Sequence, residues 1–220
     1  MTWYQRREAD VLWTRGGEPR RLPDQTILLG RGDAPWTNAL DGRARGVDVV
    51  VRRDAPSGLS GWAGYAYGRH RYTDSSSAET FWADADQRHT VSLYGRYRVS
   101  NRTSLSAKFR YGSNYPITGY LREQPFSARP LFGGAQPLSY GLGEERNTLR
   151  LPAYARLDIR GDRAFNWSGR RLTLFVEVAN ASNHTNLRTT PYGFDPAGRV
   201  FGATEPLMPI VPSAGFVVEF

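Results

Sequence analysis

The sequence predicts an all-β fold, in which about eight antiparallel strands run up and down in the wall of a transmembrane β-barrel. Three observations lead to this prediction. Several windows of about ten residues alternate apolar and polar side chains with a period of two, as strands with two different surroundings do. The 220 residues include 23 Gly and 14 Pro, which argues against a mainly helical protein. Short and long connections between the windows alternate strictly along the chain.

The first three strands are predicted in the N-terminal part of the chain. Residues 2–13 form a weak first strand. In the second strand, Val47, Val49 and Val51 alternate with polar residues, and a turn at residues 54–58 leads into a third strand within residues 59–72. Because this third strand mixes glycines with aromatic residues, its pattern does not show which side chains lie on the apolar face.

The clearest hairpin spans residues 90–111. Its first strand places four apolar side chains on one face, namely Val91, Leu93, Tyr97 and Val99. After a link at residues 100–103 the pattern restarts, with Leu105, Ala107, Phe109 and Tyr111 on one face. A short link between two alternating runs is typical of a tight hairpin.

The last three strands follow the same pattern. Residues 155–160 and 172–178 alternate on either side of a turn at residues 167–170. The C-terminal run of residues 214–220 places Phe216, Val218 and Phe220 on one face. The sequence therefore predicts a single β-barrel portion that spans residues 1–220.

The lengths of the connections predict that the two ends of the sheet differ. Three short links alternate with long, polar, Gly- and Pro-rich segments at residues 14–40, 74–86, 120–148 and 189–208. Alternate connections of an up-and-down sheet lie at opposite ends, so one end carries tight turns and the other long loops, as in outer-membrane barrels. Aromatic residues near both ends suggest interfacial girdles. They are Tyr97, Phe165, Trp167 and Phe220 at the turn end, and Trp82, Tyr111, Tyr115 and Tyr154 at the loop end.

Composition excludes several classes of protein. No run approaches the roughly 18 consecutive apolar residues of a membrane helix. The net charge is +8, but the arginines are spread singly along the chain, whereas a nucleic-acid interface requires clustered charge. The absence of cysteine excludes disulfides and thiolate metal sites. Residues 1–10 lack the apolar core of a secretory signal peptide.

The two predicted faces differ in a way that fits a membrane barrel. The polar face carries charges of both signs, which suits a wet or salt-bridged lumen, and the apolar face would then contact lipid.

Two alternatives remain open. One is a self-contained eight-stranded barrel with a structural or adhesive role, since about eight strands can close around side chains. The other is a soluble β-sandwich that binds carbohydrate through Tyr and Trp.

A family resemblance rests on short segments distributed over nearly the whole chain. These segments are residues 40–47, 58–62, 65–67, 81–84, 86–90, 108–113, 151–158, 174–180 and 209–220. In their order and spacing they resemble the C-terminal barrel region of TonB-dependent outer-membrane receptors, especially the type that bears a carboxypeptidase-regulatory-like domain.

The resemblance implies a fold and a function. Such receptors have an N-terminal plug inside a barrel of about 22 strands, and this sequence matches roughly the last third of that barrel, with no plug and no signal peptide. It implies location in the outer membrane of a Gram-negative bacterium and uptake of a large solute, such as an iron chelate or glycan. Expected partners are outer-membrane lipid, the barrel assembly machinery, which would read Phe216, Val218 and Phe220, and an inner-membrane energy-coupling partner that acts through the plug.

The sequence predicts neither an enzyme nor a cofactor site. His70, His89 and His184 are too widely spaced for a typical metal motif. Asp84 and Asp86 could act as an acid and a base, but an ion-paired strand start beside Arg88 is the favoured interpretation.

The best candidates for solute contact are eight charged side chains on the lumen-facing side. They are Arg96, Arg98, Lys108, Arg110, Arg156, Asp158, Arg160 and Glu177. A cross-strand charge network that stabilises the sheet is favoured over specific binding. Loop aromatics could also contact a substrate, namely Trp36, Tyr120, Phe126, Phe132 and Tyr140.

Overall fold

The computed structural model describes residues 1–124 and 139–219, without the side chain of Trp167. The fold in these residues is all-β. The strands, in chain order, are β1 (Thr2–Thr14), β2 (Arg20–Arg21), β3 (Ile27–Leu28), β4 (Trp36–Arg53), β5 (Gly58–Asp74), β6 (Thr80–Trp82), β7 (His89–Arg98), β8 (Thr103–Gly112), β9 (Leu121–Glu123), β10 (Tyr140–Leu142), β11 (Tyr154–Trp167), β12 (Arg170–Ala179), β13 (Leu187–Thr189), β14 (Gly193–Phe194), β15 (Arg199–Phe201), β16 (Thr204–Pro206) and β17 (Val211–Glu219). No helix in the described ranges is long and apolar enough to cross a membrane.

Eight long strands form one antiparallel sheet. Their order across the sheet is β1-β4-β5-β7-β8-β11-β12-β17, and the short strand β6 pairs with β5. Each long strand therefore lies beside the long strand that precedes it in the chain. This confirms the predicted antiparallel, up-and-down arrangement of about eight strands.

The three predicted tight turns lie at one end of the sheet. The turn between β11 and β12 consists of Ser168 and Gly169, whose φ angles are +50° and +78°. Positive φ at both central residues is the geometry of a type I′ hairpin, whose twist matches that of the flanking strands. The long connections, which contain the remaining short strands, emerge at the opposite end.

One long connection is shorter than predicted, because β4 begins at Trp36 and pairs with β1 from Thr14↔Trp36 to Thr2↔Asp48. The prediction of Trp36 as a loop residue is therefore wrong. The loop-side half of β4 carries Asp41, Arg43 and Arg45 where an outward-facing apolar row would be expected, so hydrophobic alternation does not reveal this half of the strand.

The sheet is open in the described part of the chain. There β1 pairs only with β4, and β17 pairs only with β12. The closed ring of the barrel prediction is not seen in these residues.

One face of the sheet is apolar and uncovered. Strand register aligns Val51, Leu105, Val176 and Phe216 on this face, and their exposed fractions are 64%, 51%, 62% and 69%. A soluble β-sandwich would bury such a row against a second sheet. Within the described residues, no second layer does so.

The hydrophobic core lies among the long connections, away from the main sheet. Its buried members are Ile117, Leu121, Tyr140, Leu142, Leu151 and Ala203. Strands β14, β15, β10 and β9 form a small sheet in this region. The segments read from sequence as polar loops therefore include a packed subdomain, called here the loop core.

Two of the aromatic residues that were predicted to contact a substrate are buried in or beside the loop core. Tyr120 and Tyr140 are 4% and 6% exposed, so they serve as packing residues. Burial raises the pKa of Tyr120 to about 12, with a further contribution from the charge of Glu79. Phe126 and Phe132 lie outside the described residues.

We expect Leu142→Ala to destabilise the loop core by about 2 to 5 kcal/mol, because it removes a fully buried side chain and leaves a cavity. Leu142 is 0% exposed, whereas Leu29, in another long connection, is 70% exposed and provides the control as Leu29→Ala. Hydrogen exchange should show faster opening of β9, β10 and β15 in Leu142→Ala, with no change in Leu29→Ala. Equal exchange in both variants would contradict this packing.

Candidate functional site

The eight predicted lumen-facing residues lie on a single face of four adjacent strands, β7, β8, β11 and β12. The ladders set Arg110 opposite Arg156, Lys108 opposite Asp158, and Arg160 opposite Glu177. Residues directly opposite in antiparallel ladders project to the same side. This face, called here the inner face, is the one opposite the apolar rows.

Ion pairs link part of the inner face. Arg156 Nε lies 2.7 Å from Asp158 Oδ1. Arg160 spans two acids, with its guanidinium 2.8 Å from Asp162 and 3.2 Å from Glu177. Asp162 was not predicted, although it continues the same alternation two residues beyond Arg160. These contacts fit the structural charge network that was favoured from the sequence.

The remaining cations of the set are not in ion pairs within the described residues. Arg96 donates to Ser104 Oγ at 3.0 Å, and Arg98 donates to the Pro56 carbonyl at 2.5 Å. A groove of about 370 Å³ at the tight-turn end is lined by Arg96, Arg98, Arg102, Arg171 and Asp162, among other residues. Because cations outnumber acids there, this part of the inner face can attract an anionic solute.

A second polar cluster joins three long connections. Arg146, whose side chain is 6% exposed, donates two hydrogen bonds to Glu18, at 2.7 and 2.8 Å, and two to Asp84, at 3.0 and 3.4 Å. Burial by itself would lower the Arg146 pKa, but the hydrogen bonds and charges of Glu18 and Asp84 outweigh it and raise that pKa. Asn147 adds a hydrogen bond to Asp84 at 2.6 Å. The cluster holds the start of the chain's first long connection against the loop core.

Asp84 and Asp86 are both ion-paired, as the favoured interpretation predicted. Asp86 is 2% exposed, forms an ion pair with Arg150, and lies 3.6 Å from Arg88. Its Oδ1 also accepts a hydrogen bond from the His70 backbone N–H at 2.6 Å. Arg88 was predicted from its proximity in sequence, whereas Arg146 and Arg150 were missed because they are about 60 residues away.

The three histidines occupy separate places. His89 Nδ1 lies 2.9 Å from the Tyr65 hydroxyl, and His184 Nε2 lies 3.1 Å from the Ala153 carbonyl. His70 Nε2 lies 3.4 Å from Glu8. In residues 1–124 and 139–219, no three His, Cys, Asp or Glu side chains are grouped to hold a metal ion.

The predicted assembly signal lies on β17 at an edge of the sheet. Phe216 opposes Leu174 and Val218 opposes Leu172 on the apolar face. Phe220 lies outside the described residues.

Comparisons of the chain with protein-family models, with curated proteins and with solved structures found no match. The resemblance to TonB-dependent receptors therefore stays a prediction from the sequence.

We expect Arg146→Met to destabilise the junction between the loop core and the residue 15–35 connection by about 2 to 3 kcal/mol, because it leaves two carboxylates without their shared cation. Arg31→Met is the control, since the Arg31–Asp33 pair is exposed on both sides and such pairs contribute about 0 to 1 kcal/mol. Limited proteolysis and hydrogen exchange of residues 15–35 measure the difference. If both variants resist protease like the parent, the Arg146 cluster does not hold this junction.

Proposed function

We propose that this chain forms part of the wall of an outer-membrane β-barrel and that it is the C-terminal barrel segment of a TonB-dependent receptor. The observation that carries the proposal is the uncovered apolar face of the eight-stranded sheet. An exposed apolar patch of more than a few hundred Å² is unusual for a soluble monomer. Contact with lipid removes this surface from water and leaves the charged inner face toward a wet lumen.

The strand lengths fit this placement. A membrane-spanning strand needs about 9 to 11 residues. The eight long strands have between 9 and 18 residues, with β17 the shortest and β4 the longest. Strands of this length can cross the hydrocarbon and still extend beyond it at the loop end.

The open edges favour a larger ring. Among residues 1–124 and 139–219, each edge strand presents a row of backbone N–H and C=O groups without a ladder partner, and hydrocarbon does not tolerate such groups. Further strands beside β1 and β17 would satisfy them, as in a barrel of about 22 strands. In this arrangement the plug that engages the energy-coupling partner is supplied by another part of the receptor.

The solute and the remaining partners follow from the same proposal. The cationic groove of the inner face lies where a large solute, such as an iron chelate or an acidic glycan, would pass. Phe216, Val218 and Phe220 would be recognised by the barrel assembly machinery. No side chain is assigned a catalytic role.

A self-contained eight-stranded barrel is the second candidate, favoured by the strand count alone. Eight strands of alternating direction place β1 antiparallel to β17, so the two edges could pair directly. The two candidates differ in whether β1 and β17 are neighbours.

We expect Ile159→Arg to destabilise the chain folded in lipid vesicles by about 2 to 4 kcal/mol, because a lipid-facing arginine near the bilayer midplane carries that cost. Ile159 lies near the middle of β11, opposite Ala107 and Val178 on the apolar face, and is 43% exposed. The matched control is Ser213→Arg, which places the same side chain on the inner face directly opposite Glu177. Urea unfolding in vesicles, followed by tryptophan fluorescence, measures both.

The control should change the free energy of unfolding by less than about 1 kcal/mol. The proposal is rejected if Ile159→Arg folds in detergent-free buffer as a soluble monomer. It is also rejected if Ile159→Arg and Ser213→Arg lower the free energy of unfolding in vesicles by the same amount.

Disulfide crosslinking distinguishes the two barrels, since the chain has no native cysteine. The pairs Arg6→Cys/Ser213→Cys and Arg6→Cys/Val217→Cys test whether β1 lies beside β17. Glu177→Cys/Ser213→Cys, on neighbouring positions of β12 and β17, is the positive control.

We expect crosslinking in the control and none between β1 and β17 in the membrane-inserted chain, measured by electrophoresis without reductant. Efficient crosslinking of either Arg6 pair would instead establish the eight-stranded barrel.

A further inference from the structure

Five arginines cluster on the apolar side of the sheet, at the loop-side end of β1, β4 and β5. Arg43 lies opposite both Arg7 and Arg71, and Arg45 lies opposite Arg69. Like charges directly opposite each other destabilise a sheet. This group, called here the outer arginine cluster, projects away from the charged inner face.

The protein leaves these charges largely uncompensated. In the described part of the chain, none of the five arginines forms an ion pair. Asp41 is the one acid among the residues that line the groove over the cluster, which has a volume of about 630 Å³. Arg71 stacks 4.0 Å from the Trp82 ring centroid and Arg69 lies 5.7 Å from that of Tyr67. Such aromatic contacts orient a guanidinium but do not cancel its charge.

The cluster has a defined position along the outward face. Successive cross-strand rows are two residues, or about 7 Å, apart. Val49, Tyr65 and Val91 form one row, and Trp3, Val47 and Tyr67 form the next. The two rows beyond these contain Gln5, Arg45 and Arg69, then Arg7, Arg43 and Arg71. The preceding row toward mid-sheet holds Val51, Ala63 and Leu93. The order from mid-sheet to loop end is therefore aliphatic, then mixed aliphatic and aromatic, then cationic.

That order matches the layers of a bilayer. Aliphatic side chains suit hydrocarbon, Trp and Tyr concentrate at the interface, and arginine suits the anionic headgroup layer. The two arginine-containing rows lie about 7 Å and about 14 Å beyond the row of Trp3, Val47 and Tyr67. A lipid whose phosphate groups contacted these arginines could at the same time pack its acyl chains on the apolar rows.

We propose that the outer arginine cluster binds the headgroup of an anionic lipid that carries at least two phosphate groups. Guanidinium groups bind phosphate through two parallel hydrogen bonds. Five arginines and Asp41 give a net charge of about +4, which two phosphate monoesters of about −1.5 to −2 each would balance. The inference rests on the proposed function, because it needs the apolar face to lie in a membrane.

The test uses the full chain folded in zwitterionic-detergent micelles and titrated with a synthetic lipid that bears two phosphate groups. The cluster variant is Arg43→Gln, Arg45→Gln, Arg69→Gln and Arg71→Gln combined. The control variant removes the same charge from four exposed arginines outside both the outer arginine cluster and the cationic groove, by combining Arg31→Gln, Arg52→Gln, Arg188→Gln and Arg199→Gln. Tryptophan fluorescence and phosphorus analysis of the purified complex measure binding.

We expect the cluster variant to bind the lipid at least tenfold more weakly and the control variant to bind within twofold of the parent. Equal weakening of both variants, or of neither, overturns the inference. Inorganic pyrophosphate forms a separate arm. If it displaces the lipid at equal phosphate concentration, the site takes a free anion and the lipid assignment is wrong.

Insertion into phosphatidylcholine vesicles shows whether a negative result contradicts the lipid site or the proposed function. A chain that fails to insert into these vesicles contradicts the membrane placement itself. A chain that inserts, but whose cluster variant binds the diphosphorylated lipid as the parent does, contradicts only the role of the outer arginine cluster.

Discussion

The structure depends on the register of its antiparallel ladders. A strand alternates its side chains between two faces, and a slip of one residue would exchange those faces. Here the register keeps Leu93, Phe109 and Leu157 in one row while Tyr94, Lys108 and Asp158 occupy the neighbouring row on the other face. The same separation continues through β12 and β17, so a single sheet presents an aliphatic surface and a charged surface to different surroundings.

Sequence patterns recover the parts of the fold that local chemistry determines. The Ser168-Gly169 turn and the runs around Leu105 and Leu174 are visible because turn residues and period-two alternation act within a few positions. The inner face is recovered for the same reason, since alternation alone groups Arg96, Lys108 and Arg160. The start of β4 at Trp36 is missed because Asp41, Arg43 and Arg45 occupy the face on which Val47, Val49 and Val51 form the apolar row, so the expected alternation is lost there.

The loop core and the Arg146 cluster could not be predicted in this way. Leu142 packs with residues such as Ile117 and Ala203, which lie in short segments too brief to show a period. The partners of Asp84 and Asp86 come from a connection about 60 residues away. Such contacts depend on the complete topology. A buried aromatic such as Tyr120 therefore has the same local sequence character as an exposed, ligand-binding one.

The two halves of the molecule reach stability by different means. Around the loop core, apolar side chains are buried against each other and charged groups such as Arg146 and Asp86 are paired, which is how a protein part satisfies itself in water. On the sheet, Val176 and Phe216 are exposed and, within the described residues, both edge ladders are open. In the proposed barrel, lipid would supply the apolar contact and further strands would supply the pairing. The uncompensated charges of Arg43 and Arg71 lie at the boundary between these halves, where a partner of opposite charge would relieve their repulsion. One amino-acid sequence thus encodes a packed, ion-paired end and a sheet with an exposed apolar face, and the proposed membrane placement would cover that face with lipid.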